Sequence, residues 1–107
     1  MLPQRATDRY LSRSVQAVRA LYPGLPVIGV VPAPFAACAN YPVTVTHLPA
    51  VAAARDWGRR EGVPLLDLDA LGAPYFARQA HNPDGLHWSW ELHREVGEAL
   101  AGVLARV

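Results

Sequence analysis

Cysteine occurs once in the 107 residues, at Cys38, so the chain can form no internal disulfide and no zinc site of the CxxC type. That scarcity fits a reducing, cytoplasmic setting. An excess of either charge is also lacking: ten Lys+Arg stand against nine Asp+Glu, a net charge of +1, which gives no electrostatic case for nucleic acid or an anionic membrane surface. Long apolar runs are missing as well. The most apolar stretch, 27–38, is interrupted by Pro32 and Pro34 and is far too short to span a bilayer. The start, Met1-Leu2-Pro3-Gln4-Arg5, lacks the layout of a signal peptide. Serine is limited to Ser12, Ser14 and Ser89. The first two are expected on the surface of a helix and the third as a helix cap, so none is expected on the strand-to-helix turn where a nucleophile is exposed. What remains, with 51% hydrophobic and 18% charged residues, is a globular sequence of one domain at most, soluble and without repeats.

Apolar periodicity then divides the chain. Leu11, Val15 and Val18 recur at helical spacing, so a helix capped by Thr7 or Asp8 is expected to run to about Leu21, where Tyr22-Pro23-Gly24 stops it. Val27-Ile28-Gly29-Val30-Val31 is short, β-branched and continuously apolar, as in strands buried on both faces of a parallel sheet. Residues 33–45 show no period and read as a long loop beyond that strand's carboxyl end, a place that commonly carries substrate contacts. Thr46 can cap a second helix carrying Leu48, Val51, Ala52 and Trp57, with Gly62 at its left-handed terminus. Pro64-Leu65-Leu66-Asp67-Leu68 reads as a second strand, ended by Asp67, with Asp69 beginning a turn and an irregular stretch following. Ser89 can cap a last helix with the stripe Leu92, Val96, Leu100, Val103 and Leu104. The order helix, strand, helix, strand, helix argues for an α/β fold with parallel strands. Two strands alone leave a bare sheet edge, which suggests part of a larger domain, or self-association through that edge.

The chemistry concentrates in Asn82-Pro83-Asp84-Gly85-Leu86-His87. In acyl transfer a hydroxyl nucleophile needs an imidazole to take its proton, and the imidazole needs a carboxylate to fix its tautomer. Asp84 and His87, three residues apart in a Gly-containing turn at the start of the last helix, can supply that carboxylate and imidazole above the carboxyl ends of the strands. The plainer use of Asp84 is an Asx-type turn with Gly85, and the contact with His87 serves both.

These residues, with the strand Val63-Pro64-Leu65-Leu66-Asp67-Leu68, the stretch Tyr22-Pro23-Gly24-Leu25-Pro26-Val27 and the closing 96–104 helix, resemble the SGNH (GDSL-type) hydrolase superfamily. The resemblance covers nearly the whole chain but only the C-terminal half of such a domain, and implies a partial flavodoxin-like three-layer fold. It maps the family's catalytic Asp and His onto Asp84 and His87. The family's Gly-Asp-Ser-like nucleophile motif, oxyanion glycine and Gly-x-Asn-Asp-like block belong to its N-terminal half and do not occur here, so the chain alone is expected to be inactive. Asn82 to Trp88, then Glu91, His93 and Val96, with Trp57-Gly58 and Gly62-Val63-Pro64-Leu65, resemble more narrowly the actinobacterial diglucosylglycerate octanoyltransferase group. That resemblance implies octanoyl transfer, with acyl-CoA as donor substrate and no resident cofactor, to a sugar-containing glucosylglycerate acceptor.

Other readings attach to single residues. His81, Asp84, His87 and His93 invite a metal site, but their spacing lacks the helical i, i+4 histidine pair and no metal is expected. Trp88 and Trp90 are candidate substrate-binding residues lining an acyl pocket, or simply pack at the helix start. Asp67 and Asp69 resemble paired carboxylates for glycoside chemistry but read better as strand end and turn. Cys38 has no basic neighbour in sequence to lower its pKa and reads as an inert thiol. A non-catalytic binding module that keeps the fold remnant is the alternative from another class.

Overall fold

The computed structural model describes residues 4–36 and 48–107. Cys38 and the cap expected at Thr46 lie outside them. The described chain runs α1 (Gln4–Leu21), β1 (Gly29–Val31), α2 (Leu48–Glu61), β2 (Leu65–Asp67), α3 (Leu68–Ala77) and α4 (Trp90–Ala105). The two strands pair in parallel, with Gly29 opposite Leu65, Val30 opposite Leu66 and Val31 opposite Asp67. The fold is α/β, a two-stranded parallel sheet with four helices. Among the described residues each strand is an edge strand, and no helix is long and apolar enough to cross a membrane.

Alternation along the strands decides which helix covers which face. Gly29, Leu65 and Asp67 look toward α2. A Cβ on Gly29 would lie 2.8 Å from Leu65 Cδ2 and 3.7 Å from the Trp57 ring, and one on Gly58 would lie 2.6 Å from the same Leu65 methyl. The Leu65 side chain is therefore held between two positions without a Cβ, which lets α2 approach the sheet closely. The Arg55 guanidinium fastens the same helix to the end of β2: Nε donates to Asp67 Oδ2 at 2.7 Å, and Nη2 to Asp67 Oδ1 and Asp69 Oδ2 at 3.1 Å each. Leu66 points the other way and is buried on the side where α4 meets β2 and α3 meets β1. Leu92 on α4, 1% exposed, anchors that side, and α1 packs on the outside of α2.

Several expectations change. The stretch after β2 is helical, and Asp69 sits in the first turn of α3 instead of a turn. Asp67 caps this helix, accepting the Ala70 N–H at 2.9 Å. The segment shows no amphipathic period, and Pro74 reads as a breaker; its cost is contained because the helix ends three residues later, at Ala77. Helix α1 is already formed at Gln4, so neither Thr7 nor Asp8 is its cap. Asp8 instead accepts from Arg60 Nη2 at 2.6 Å. Ser12 is half-buried, not a surface residue, because Trp57 Nε1 donates to its hydroxyl at 3.0 Å. Strand β1 is not buried on both faces: Val31 is fully buried, whereas Val30 is 54% exposed because no helix covers it there. Within the α4 stripe Leu92 and Val103 are buried, Val96 and Leu100 are half-buried, and Leu104 is exposed. The Ser89 cap and the left-handed Gly62, at φ 66°, stand as expected.

Gly58→Ala is expected to destabilise the chain by about 1–3 kcal/mol, since a methyl there overpacks Leu65, which Gly29 blocks from the other side. Chemical denaturation of the variant against the parent chain measures this.

Candidate functional site

The turn ahead of α4 is closed by its own backbone. Gly85 N–H donates to Asn82 O at 3.0 Å, and Asn82 N–H donates to His87 O at 3.0 Å. Gly85 takes φ 72°, a left-handed conformation that favours glycine. It is also clamped to the loop beyond β1: Ala36 N–H donates to Gly85 O at 2.7 Å, and a Cβ on Gly85 would stand 2.2 Å from Ala36 O. Glycine is thus required twice over, by backbone angle and by proximity.

On this platform Asp84 uses both carboxylate oxygens. Oδ1 accepts the backbone N–H groups of Leu86 and His87, each at 2.9 Å, which is the Asx-type turn. Oδ2 takes His87 Nδ1. The hydrogen bond from the His87 ring, then those from the His87 and Leu86 amides, lower the Asp84 pKa from its ordinary value to about 2. An ionised carboxylate only accepts, so the proton of this bond resides on Nδ1. With Nδ1 engaged by Asp84, Nε2 is the ring nitrogen left for another partner. The turn and the dyad are one structure, and His87 stands 71% exposed at its rim.

Two cavities meet beside the ring. The first, about 350 Å3, is lined by Ala33, Pro34, Phe35, Leu86, His87, Trp88 and His93 and is almost wholly apolar. Its volume falls within the usual range of small-molecule sites, roughly 300–1,000 Å3. The second, about 470 Å3, is lined by Asn82, Trp88, Ser89, Trp90 and His93 and is half polar. Trp88 and His93 line both, their rings 5.0 Å apart. Trp90 lines only the second and is 87% exposed.

Of the sequence-derived site residues, the structure brings Asp84, His87 and Trp88 together and sets Trp90 one cavity away. Ser12 and Ser14 lie on α1, Ser12 bonded by Trp57 and Ser14 donating to Tyr10 O at 2.8 Å; Ser89 caps α4 through the Leu92 N–H at 3.3 Å. His81 stacks on Phe76 at 4.7 Å, and its Nδ1 donates to Asn82 O at 2.7 Å. Among the described residues no group of three His, Cys, Asp or Glu side chains is arranged to hold a metal ion. His93 lines both cavities. Ala33 to Phe35, in the loop beyond the carboxyl end of β1, form a wall of the first cavity.

The chain is 33% identical over 104 residues to the diglucosylglycerate octanoyltransferase of Mycolicibacterium hassiacum, a match spanning 97% of this chain and 43% of that protein. It is 32% identical over 104 residues to the protein of the same name from Mycobacterium tuberculosis, spanning 97% of this chain and 42% of the relative. The chain thus spans less than half the length of the curated relatives it matches. No protein-family model matches it, and no solved structure does.

Two outcomes follow from this geometry. Gly85→Ala should lower Tm by roughly 5–15 °C, because left-handed backbone costs an L residue about 1–2 kcal/mol before the collision with Ala36 is counted. Gly24→Ala, at φ 83° with nothing within 4 Å of the new methyl, carries only the backbone part and should cost less. A carboxyl-detected NMR titration should place Asp84 near pH 2. Because its pKa is depressed on folding, its stabilising contribution is complete above the ordinary value near 3.8 and is lost as the pH falls toward 2. Asp84→Asn should remove that part of the acid dependence, whereas a midpoint near 4 in the parent chain would mean that the bonds are absent in solution.

Proposed function

We propose that this chain is the C-terminal portion of an SGNH-type acyltransferase of the diglucosylglycerate octanoyltransferase kind, with the partial flavodoxin-like architecture of that superfamily. His87 is its general base and Asp84 the carboxylate that orients it. The observation that carries this reading is the Asp84–His87 pair held at the mouth of an apolar cavity by the Gly85 clamp.

In the reaction, a serine hydroxyl supplied by the N-terminal half attacks the carbonyl carbon of an octanoyl thioester while His87 Nε2 takes its proton. The C–S bond breaks, and the coenzyme A thiolate leaves with that proton. A hydroxyl of the glucosylglycerate acceptor then gives its proton to the same nitrogen and attacks the acyl-serine. The serine oxygen leaves and recovers the proton, so no net proton is consumed. Asp84 stays ionised throughout and stabilises each imidazolium in turn. A coenzyme A donor places the reaction in the cytoplasm.

The test is a chimera in which this chain replaces the matched stretch of the M. hassiacum relative. Octanoyl transfer by the chimera, reduced at least about 10³-fold by His87→Ala with the fold intact, is the expected result. The 107-residue chain alone should turn over no octanoyl ester. Activity indifferent to His87→Ala, or esterase activity of the lone chain, would overturn the assignment.

A further inference from the structure

We infer that the half-polar cavity walled by Asn82, Trp88, Ser89, Trp90 and His93 is a carbohydrate-binding subsite, with the Trp90 indole as its stacking platform. The inference rests on the acyl-transfer reading for its place in a reaction, but its evidence is separate. The Trp90 indole, at the first position of α4, stands 87% exposed. Exposed aromatic surface of that size, edged by polar groups, marks a binding face.

The rim has the chemistry of a hydroxyl-rich ligand. Asn82 offers an amide, and its Nδ2 reaches Trp88 O only at 3.4 Å, a long bond that a ligand hydroxyl can replace. Ser89 Oγ accepts from Leu92 N–H in the cap and still has its O–H to donate. His93 sits 5.0 Å from the Trp88 ring and 6.4 Å from Trp90, with its imidazole at the boundary of both cavities. No acidic or basic side chain other than imidazole lines the space, so a neutral polyol suits it better than a charged headgroup. A sugar ring presents C–H groups on one face and hydroxyls at its edge, matching an indole flanked by amide, hydroxyl and imidazole.

The two cavities then divide the substrates. The fatty acyl chain goes to the apolar side, against Pro34, Phe35 and Leu86, and the sugar goes to the Trp90 side. Trp88 is the wall between them. This departs from the expectation that both tryptophans line one acyl pocket.

The three tryptophans each carry one indole N–H, so the chain reports on its own cavities by NMR. Methyl α-glucoside, titrated to about 10 mM and beyond, should shift the Trp90 indole signal saturably and leave buried Trp57 in place. Sodium octanoate should move Leu86 methyl signals and not Trp90. Trp90→Ala should weaken glucoside binding at least tenfold, and Trp90→Phe should retain most of it. A Trp90 signal unmoved by glucoside, or a Trp90→Ala chain that binds it equally well, would overturn the subsite. His87→Ala should bind glucoside normally. A failure of the acyl-transfer reading, seen as transfer indifferent to His87→Ala, is therefore distinguishable from a failure of this one.

Discussion

The site depends on one backbone hydrogen bond, from Ala36 N–H to Gly85 O, and on the absence of a Cβ at Gly85 that lets it form. The turn that carries Asp84 and His87 leads into α4, and residues 33–36 leave β1 with Pro34 packed against Gly72 of α3. Through that hydrogen bond, the segment leaving the carboxyl end of β1 and the turn entering α4 form a single rim. The apolar cavity lies between those two segments, lined by Ala33 to Phe35 from one and Leu86 to Trp88 from the other. Carboxyl ends of parallel strands are where open α/β folds put their chemistry, and here the reason is local. The chain leaves β1 at Val31 in register with Asp67, where β2 passes directly into α3.

Asp84 shows how one side chain can serve structure and chemistry without conflict. Its Oδ1 accepts two amides that a turn of this shape leaves unpaired, and this orients Oδ2 toward the imidazole. The same bonds that close the turn hold the carboxyl ionised, which is the state needed to keep the proton on Nδ1. The Asx turn and the Asp84–His87 pair are therefore the same hydrogen-bond set, and what sets the pair apart is what Nε2 faces. It faces a cavity edge at a largely exposed rim, where a further segment can bring a nucleophile.

The sequence made the fold legible wherever one residue type had one cheap conformation. Ser89 before an amphipathic run, Gly62 after one, and the β-branched run ending at Pro32 each pointed to the element found. The failures share a cause. Helix α3 shows no amphipathic contrast because its exposed positions, Ala70, Ala73, Pro74 and Ala77, are themselves apolar, so periodicity could not report it, and Asp67 looked like a strand terminus because it is one as well as a cap. Val30 was read as buried from its neighbours in sequence, but burial of a strand's second face is decided by which helices arrive there. At the site, Asp84 and His87 are legible because they are close in sequence. The loop from Ala33 was legible as a place for contacts, but not which turn it would meet, because no property of those residues reports a contact some fifty positions later.

The division between the two cavities follows from the start of α4. Trp88, ahead of the cap at Ser89, lines both cavities, whereas Trp90, at the first position of the helix, lines only the second. His93 lies one turn above Ser89, its N–H bonded to the Ser89 carbonyl, and so its ring reaches both sides of Trp88. A nucleophile at His87 would consequently have apolar space on one side of Trp88 and a polar-edged aromatic face on the other. That is the arrangement an acyl transfer between a lipid-like donor and a sugar needs: the two substrates differ in solvation, and each can be desolvated against the surface it matches without either crossing the other's path.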